Sequence, residues 1–222
     1  MPDYYLLPGN LVDSDFSASL MRLAGYMMAS ERRVVLPGVI KYRTNVKRPD
    51  SPPRMDLSIN AVTARYDDRC PRSMQRHARW VENPETGIDS KKLCGSLVQL
   101  AQEALDRIQP IPTGQRMNAF FSILAVAPGA LDQAWHADNL DFDGDYWTVI
   151  IPLTRILGQG GTEFVNGGIP PFGRSYYFGG KVVHRGTANA SDEMRYALML
   201  VVLSPAEDIN RGTEVPIELT KQ

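Results

Sequence analysis

The run Met117-Asn118-Ala119-Phe120-Phe121-Ser122-Ile123-Leu124-Ala125-Val126 decides the fold. It is rich in aromatic and aliphatic residues, and similar short runs follow it between Gly, Pro, Asn and Asp. Gln133 to Ala137, Tyr146 to Leu153, Thr162 to Val165, Ser175 to Phe178, Val182 to His184 and Arg195 to Leu203 read as further strands, about seven in under 90 residues. Many short strands with Gly/Pro turns imply a sandwich or barrel. A double-sheet jelly roll is the member of that group whose interior suits a metal site.

Outward from this block, the N-terminal part carries helices. Tyr4-Tyr5-Leu6-Leu7 before Pro8-Gly9 reads as a short strand and turn. Asp13 or Ser14 is a candidate N-cap, and Phe16, Leu20, Leu23, Tyr26 and Met27 recur at helical spacing, which predicts a helix over roughly 14–29. A second helix is expected from Ser90, with Leu93, Leu97, Leu100, Ala101, Ala104, Leu105 and Ile108 on one face and Pro110 and Pro112 as stops. Between them, 31–89 is broken by prolines at 37, 49, 52, 53, 71 and 84 and reads as loops with brief strands, a form often taken by lids and binding loops. The 222 residues are expected to form one domain: helices and lid over 1–116, β core over 117–204, tail over 205–222.

Composition is that of an ordinary soluble globular chain, with 43% hydrophobic and 22% charged residues. The net charge of −1 hides an asymmetry, because the span from Lys41 to Trp80 holds ten Lys/Arg against four acids. Such an excess is compatible with an anionic small-molecule substrate, and Arg72 and Arg76 are the candidate contacts. A nucleic-acid role for the same stretch is disfavoured. Cys70 and Cys94 form no CxxC pair, and neither a signal peptide nor an apolar run of membrane-spanning length is evident, so a cytoplasmic setting is expected. His77, among arginines, reads as a surface residue, and Asp141-Phe142-Asp143-Gly144-Asp145 as a hairpin turn, since its glycine and Pro152 stand at the wrong places for a calcium loop.

The chemistry is concentrated in Trp135-His136-Ala137-Asp138. On a strand, residues two apart share a face, so His136 and Asp138 can point at one metal ion while Ala137 points away. His184, brought alongside by the fold, would complete two nitrogens and one oxygen on one side of the ion and leave the other side open.

With Arg195 eleven residues after His184, this order resembles the Fe(II)/2-oxoglutarate-dependent dioxygenases, especially the phytanoyl-CoA dioxygenase-like and prolyl-hydroxylase-like branches. Gly160-Gly161-Thr162-Glu163-Phe164-Val165, and the run from Gly173-Arg174-Ser175-Tyr176-Tyr177-Phe178 to His184-Arg185-Gly186, are similar to the family's strands before and around the distal histidine. Leu6-Leu7-Pro8-Gly9 before a capped helix is similar to the start of many members. The likeness covers 117–204 well and 31–89 thinly.

The resemblance implies a double-stranded β-helix (jelly roll, cupin-like) in which His136, Asp138 and His184 hold Fe(II), with 2-oxoglutarate and O2 as co-substrates. Arg195 would pair with the distal carboxylate of 2-oxoglutarate through its planar fork. Tyr196-Ala197 follows it in place of the Arg-x-Ser of one branch, so a second contact must come from elsewhere, with Thr148, Asn118 and Tyr177 as candidates. The implied reaction oxidises a C–H bond of a small molecule, by hydroxylation, desaturation, cyclisation or rearrangement, and releases succinate and CO2. A peptide or amino-acid side-chain hydroxylase is the alternative, and a non-catalytic metal-binding jelly roll a further one. Retention of Asp138 favours oxidation over halogenation, and 31–89 is the expected lid.

Overall fold

The computed structural model describes residues 3–9, 11–29, 41–43, 52, 54–59, 87–138, 145–154, 161–205 and 216–222. Arg72, Arg76, His77, Cys70, most of the expected lid and the turn at 141–144 lie outside the described residues.

In chain order the elements are β1 (Tyr5–Leu6), α1 (Ser14–Ala29), β2 (Lys41–Arg43), β3 (Arg54–Ser58), α2 (Ser90–Arg107), β4 (Arg116–Val126), β5 (Tyr146–Pro152), β6 (Thr162–Phe164), β7 (Tyr176–Gly179), β8 (His184–Gly186), β9 (Arg195–Leu203) and β10 (Ile217–Thr220). Both helices start where the sequence places them, at Ser14 and Ser90. The Asp13 carboxylate accepts from the Phe16 N–H at 2.7 Å, and the Asp89 carboxylate from the Lys92 N–H at 2.9 Å, each satisfying a donor that the first turn leaves open.

The strands form a jelly roll of two antiparallel sheets. The large sheet runs β1-β7-β5-β9-β4-β3-β2, with β10 also paired to β4; the small one is β6-β8. The large sheet is covered on both faces, which is why its strands read as near-continuous apolar runs. On one face Phe121, Ile123, Val149, Ile151, Tyr177, Leu198 and Leu200 meet Leu20, Leu23, Leu97 and Leu105 of the helices in the main core. On the other face Ile150, Tyr176 and Phe178 close with Phe164 of the small sheet on a second, smaller core. Fully buried side chains such as Phe121 and Leu97 each contribute about 1.5–3 kcal/mol by leaving water.

Three boundaries differ from the sequence expectation. Arg54–Ser58, within the stretch expected to be loops with brief strands, is a five-residue strand in register along β4 from Arg54↔Val126 to Ser58↔Ser122. Ile217–Thr220, expected to be tail, pairs with the first half of β4 and buries Leu219. Both use the long edge of β4, whose 11 residues offer more backbone donors than one neighbour can satisfy. Gln133 to Ala137, expected to be a strand, makes a single bridge, His136↔His184. Among the described residues no helix is long and apolar enough to cross a membrane.

Candidate metal centre

The bridge that replaces the expected strand is what builds the site. The His136 N–H donates to the His184 carbonyl at 2.9 Å and the His184 N–H to the His136 carbonyl at 2.8 Å, so the two histidines face each other as a hydrogen-bonded pair. Their rings lie 4.5 Å apart between centroids. Asp138, two residues on, turns the same way, and its Oδ1 lies 3.9 Å from His136 Nε2 and 3.6 Å from His184 Nε2. Among the described residues this trio is the one cluster of three or more His, Cys, Asp or Glu side chains with the spacing of a metal site.

The surrounding bonds set the donor atoms. Nδ1 of His136 lies 2.9 Å from the Ala134 carbonyl, and Nδ1 of His184 lies 3.0 Å from the Val182 carbonyl. A carbonyl only accepts, so each Nδ1 carries the proton and each Nε2 presents its lone pair to Asp138's side of the site. Thr148 Oγ1 donates to Asp138 Oδ2 at 2.6 Å, which turns Oδ1 toward the histidines. Burial holds His184 below the ordinary imidazole pKa, against the opposing pull of Asp138, and so favours its neutral, ligating form. Phe178, 4.6 Å away centroid to centroid, and Phe164 at 6.1 Å wall the ring from water.

These features fit a divalent ion of the iron class. Two nitrogens with fixed tautomers and one oriented carboxylate oxygen form the donor set, and the 3.6 and 3.9 Å separations lie within the about 4.2 Å that one ion spans at ligand distances of about 2.1 Å.

One cavity of about 240 Å³ joins His136, Asp138 and His184 to Arg195. Arg195 opens β9, is 8% exposed, and donates to the Ala188 carbonyl at 2.8 Å and Thr187 Oγ1 at 3.2 Å. Burial lowers its pKa, opposed by the Tyr176 oxygen and Asp132.

The three candidates for a second co-substrate contact separate. Thr148 lines the cavity, and its hydroxyl proton goes to the Asp138 carboxylate. Asn118 is absent from the cavity wall; it sits near the opposite end of β4 from Val126, paired with Leu203 and Glu218. Tyr177 faces the helix side of the sheet, where its ring stacks on Tyr5 at 5.1 Å. Its neighbour Tyr176 takes the interior place, donating to Thr162 Oγ1 at 2.6 Å, because consecutive strand residues point to opposite faces. Burial drives the Tyr176 phenol well above the ordinary tyrosine range.

Sequence reasoning also passed over Arg54 and Arg185. Arg54 of β3 is 4% exposed and lines the same cavity. Its Nε donates to the Leu131 carbonyl at 2.9 Å and its Nη2 to the Thr187 carbonyl. Burial, and next the charge of Arg195, lower its pKa to about 10, against a raising effect of Asp132. The only signal was its place three residues before Leu57, inside a stretch expected to hold brief strands. Arg185 points away from the metal side, pairs with Glu163 at 2.6 Å and Asp132 at 3.3 Å, and stacks on Trp135 at 4.6 Å, tying β8 to β6 and to the segment before His136.

No protein-family model matches the chain, and no curated protein matches it. Solved structures do share its fold. SnoN, described as a non-haem α-ketoglutarate-dependent epimerase from nogalamycin biosynthesis, is similar with a TM-score of 0.55 at 15% identity, over 91% of this chain and 78% of SnoN. Its complex with Fe3+, α-ketoglutarate and nogalamycin RO is similar with a TM-score of 0.52 at 13% identity, over 99% of this chain and 82% of that one. The collagen prolyl hydroxylase vCPH from Paramecium bursaria Chlorella virus-1, in a 2-oxoglutarate complex, is similar with a TM-score of 0.50 at 11% identity, over 91% of this chain and 96% of that one. The likeness is one of fold.

Proposed function

We propose that the protein is an Fe(II)/2-oxoglutarate-dependent oxygenase that oxidises a C–H bond of a small molecule and releases succinate and CO2. The observation that carries this reading is the convergence of His136 Nε2, Asp138 Oδ1 and His184 Nε2 in one cavity with the buried Arg195. Its support from comparison is the fold shared with a structure that holds Fe3+ and α-ketoglutarate and with one that holds 2-oxoglutarate.

In this reading His136, Asp138 and His184 hold the iron, which with a 2-oxo acid and O2 supplies the oxidising power for C–H chemistry. The Ala134 and Val182 carbonyls keep both imidazoles in the ligating tautomer. Thr148 fixes the rotation of the Asp138 carboxylate. Arg195 takes the distal carboxylate of 2-oxoglutarate, an interaction that burial strengthens. Phe178 and Phe164 keep water off the His184 side. The reading includes a reducing, cytoplasmic setting, and Arg72 and Arg76 as contacts for an anionic substrate; charge reversal of either is expected to raise substrate KM.

The test is spectroscopic and then catalytic. Anaerobic addition of Fe(II) and 2-oxoglutarate is expected to give the weak visible charge-transfer band of a chelated keto acid, and admission of air with a substrate panel is expected to give succinate. Neither band nor succinate would leave a binding module as the better account. Mass spectrometry of extract turnover identifies the substrate as small molecule or peptide by a +16 or −2 shift.

A further inference from the structure

Two guanidiniums, not one, line the cavity that holds His136, Asp138 and His184. Arg54, Val126 and Arg195 form one cross-strand row over β3, β4 and β9, since Arg54 pairs with Val126 and Val126 with Arg195. Residues in register across a sheet project to the same face, and β3 and β9, with β4 between them, lie only about 10 Å apart, a gap that two arginine side chains close. They do close it: Nη2 of Arg54 and Nη2 of Arg195 both donate to the Thr187 carbonyl. Nη1 of Arg54 reaches the wall at Gly186, where a Cβ would stand 2.8 Å from it.

We propose that Arg54 is a second cation of the seat for the distal carboxylate of a dicarboxylic 2-oxo acid, and that the pair makes the site select against 2-oxo acids lacking that group. The proposal rests on the oxygenase reading above. Two buried like charges drawn to one carbonyl are each disfavoured in the charged form, and an anion placed between them offsets both penalties at once. Asp132, the carboxylate that both guanidiniums feel, also engages Arg185 at 3.3 Å and the Ala188 N–H at 2.6 Å. A carboxylate with two oxygens can bridge two planar forks, a geometry that one arginine alone does not provide.

Arg54 also ties the Leu131 carbonyl to the Thr187 carbonyl, and so the chain before His136 to the chain after His184. A purely structural tie and an anion seat make different predictions. The test is titration calorimetry on the full chain loaded with Mn(II), comparing 2-oxoglutarate with 2-oxovalerate, which has the same carbon chain without the distal carboxylate. The wild-type protein is expected to favour 2-oxoglutarate by about 100-fold or more, and Arg54→Gln to reduce that preference about 10- to 100-fold with the Kd for 2-oxovalerate unchanged. Arg116→Gln, on an exposed arginine, is the control that keeps the preference.

A loss of affinity equal for both ligands in Arg54→Gln assigns the residue to the tie alone and overturns the proposal. An unchanged preference overturns it as well. Should Arg54→Gln fail to fold by circular dichroism, Arg54→Lys decides: its point charge without the fork is expected to lower the preference severalfold, and an unaltered ratio refutes the seat. A preference lost in Arg195→Gln but insensitive to Arg54 sinks this inference alone, whereas no binding of either acid to wild-type protein sinks the oxygenase reading itself.

Discussion

Thr148→Val isolates the bond that orients Asp138, the acidic member of the proposed metal site. Thr148 is 1% exposed on β5, and valine replaces its hydroxyl with a methyl of nearly the same shape, so the change is chemical and leaves no cavity. What is lost is a 2.6 Å hydroxyl-to-carboxylate bond at Asp138 Oδ2. Hydrogen bonds to charged groups contribute about 1.5–3 kcal/mol, which corresponds to about 10- to 100-fold in an equilibrium constant. The Asp138 side chain is 19% exposed, so water can replace the lost donor in the metal-free protein and the stability change is expected to stay near 1 kcal/mol, about 2–4 °C in Tm. The deficit therefore falls on metal binding, because a freely rotating carboxylate must be re-oriented each time an ion binds. Mn(II) affinity by electron paramagnetic resonance is expected to weaken about 10- to 100-fold in Thr148→Val and to recover in Thr148→Ser. A Kd for Mn(II) within threefold of wild type refutes this reasoning. If 2-oxoglutarate affinity instead falls at saturating metal, Thr148 is a direct co-substrate contact, the role its place in the sequence had suggested.

Other outcomes follow from the same geometry. Asp138→Ala is expected to abolish metal binding and succinate formation while shifting Tm by less than about 4 °C, since the side chain is partly exposed and its main bond is to Thr148; a variant retaining wild-type metal affinity would remove Asp138 from the ligand set. Gly186→Ala would place a Cβ 2.4 Å from Gln133 Oε1 and 2.8 Å from Arg54 Nη1, so overpacking is expected to cost about 1–3 kcal/mol, read as a lower urea midpoint. An unchanged midpoint shows that the ends of the Gln133 and Arg54 side chains swing aside at little cost. Tyr176→Phe leaves Thr162 without its 2.6 Å partner inside the cavity wall, whereas Tyr177→Phe acts on the helix-side core. Calorimetry is expected to show weaker 2-oxoglutarate binding only in the Tyr176 variant, and equal effects would mean that the strand's facing is not what matters.

Much of this fold was legible because its signals are local. Apolar runs between Gly and Pro marked β4, β5 and β9, and helical spacing of apolar residues, with Asp13 or Ser14 as a cap before the first, marked both helices. The His136-x-Asp138 spacing was legible too, since extended residues two apart share a face even where, as here, a single bridge forms in place of a full strand. Tyr177 shows where this kind of reading stops. Two adjacent tyrosines have identical composition signals, and only the register against β5, Val149↔Tyr177 and Ile150↔Tyr176, decides which of them faces the cavity. Arg54 was missed for a different reason: its strand forms only because β4 offers an edge for it, a contact between segments far apart in the chain.

By itself, then, the amino-acid sequence determined the β-rich core, its two capped helices and a trio of ligand types in a fixed order. The tertiary structure alone decided that His136 and His184 face each other through paired backbone bonds, that Thr148 serves Asp138, and that a second arginine joins Arg195. The physical reason is range. Periodicity and capping are set within a few residues, whereas a buried charge or a shared carbonyl depends on which distant strands the hydrogen-bond ladder brings into register.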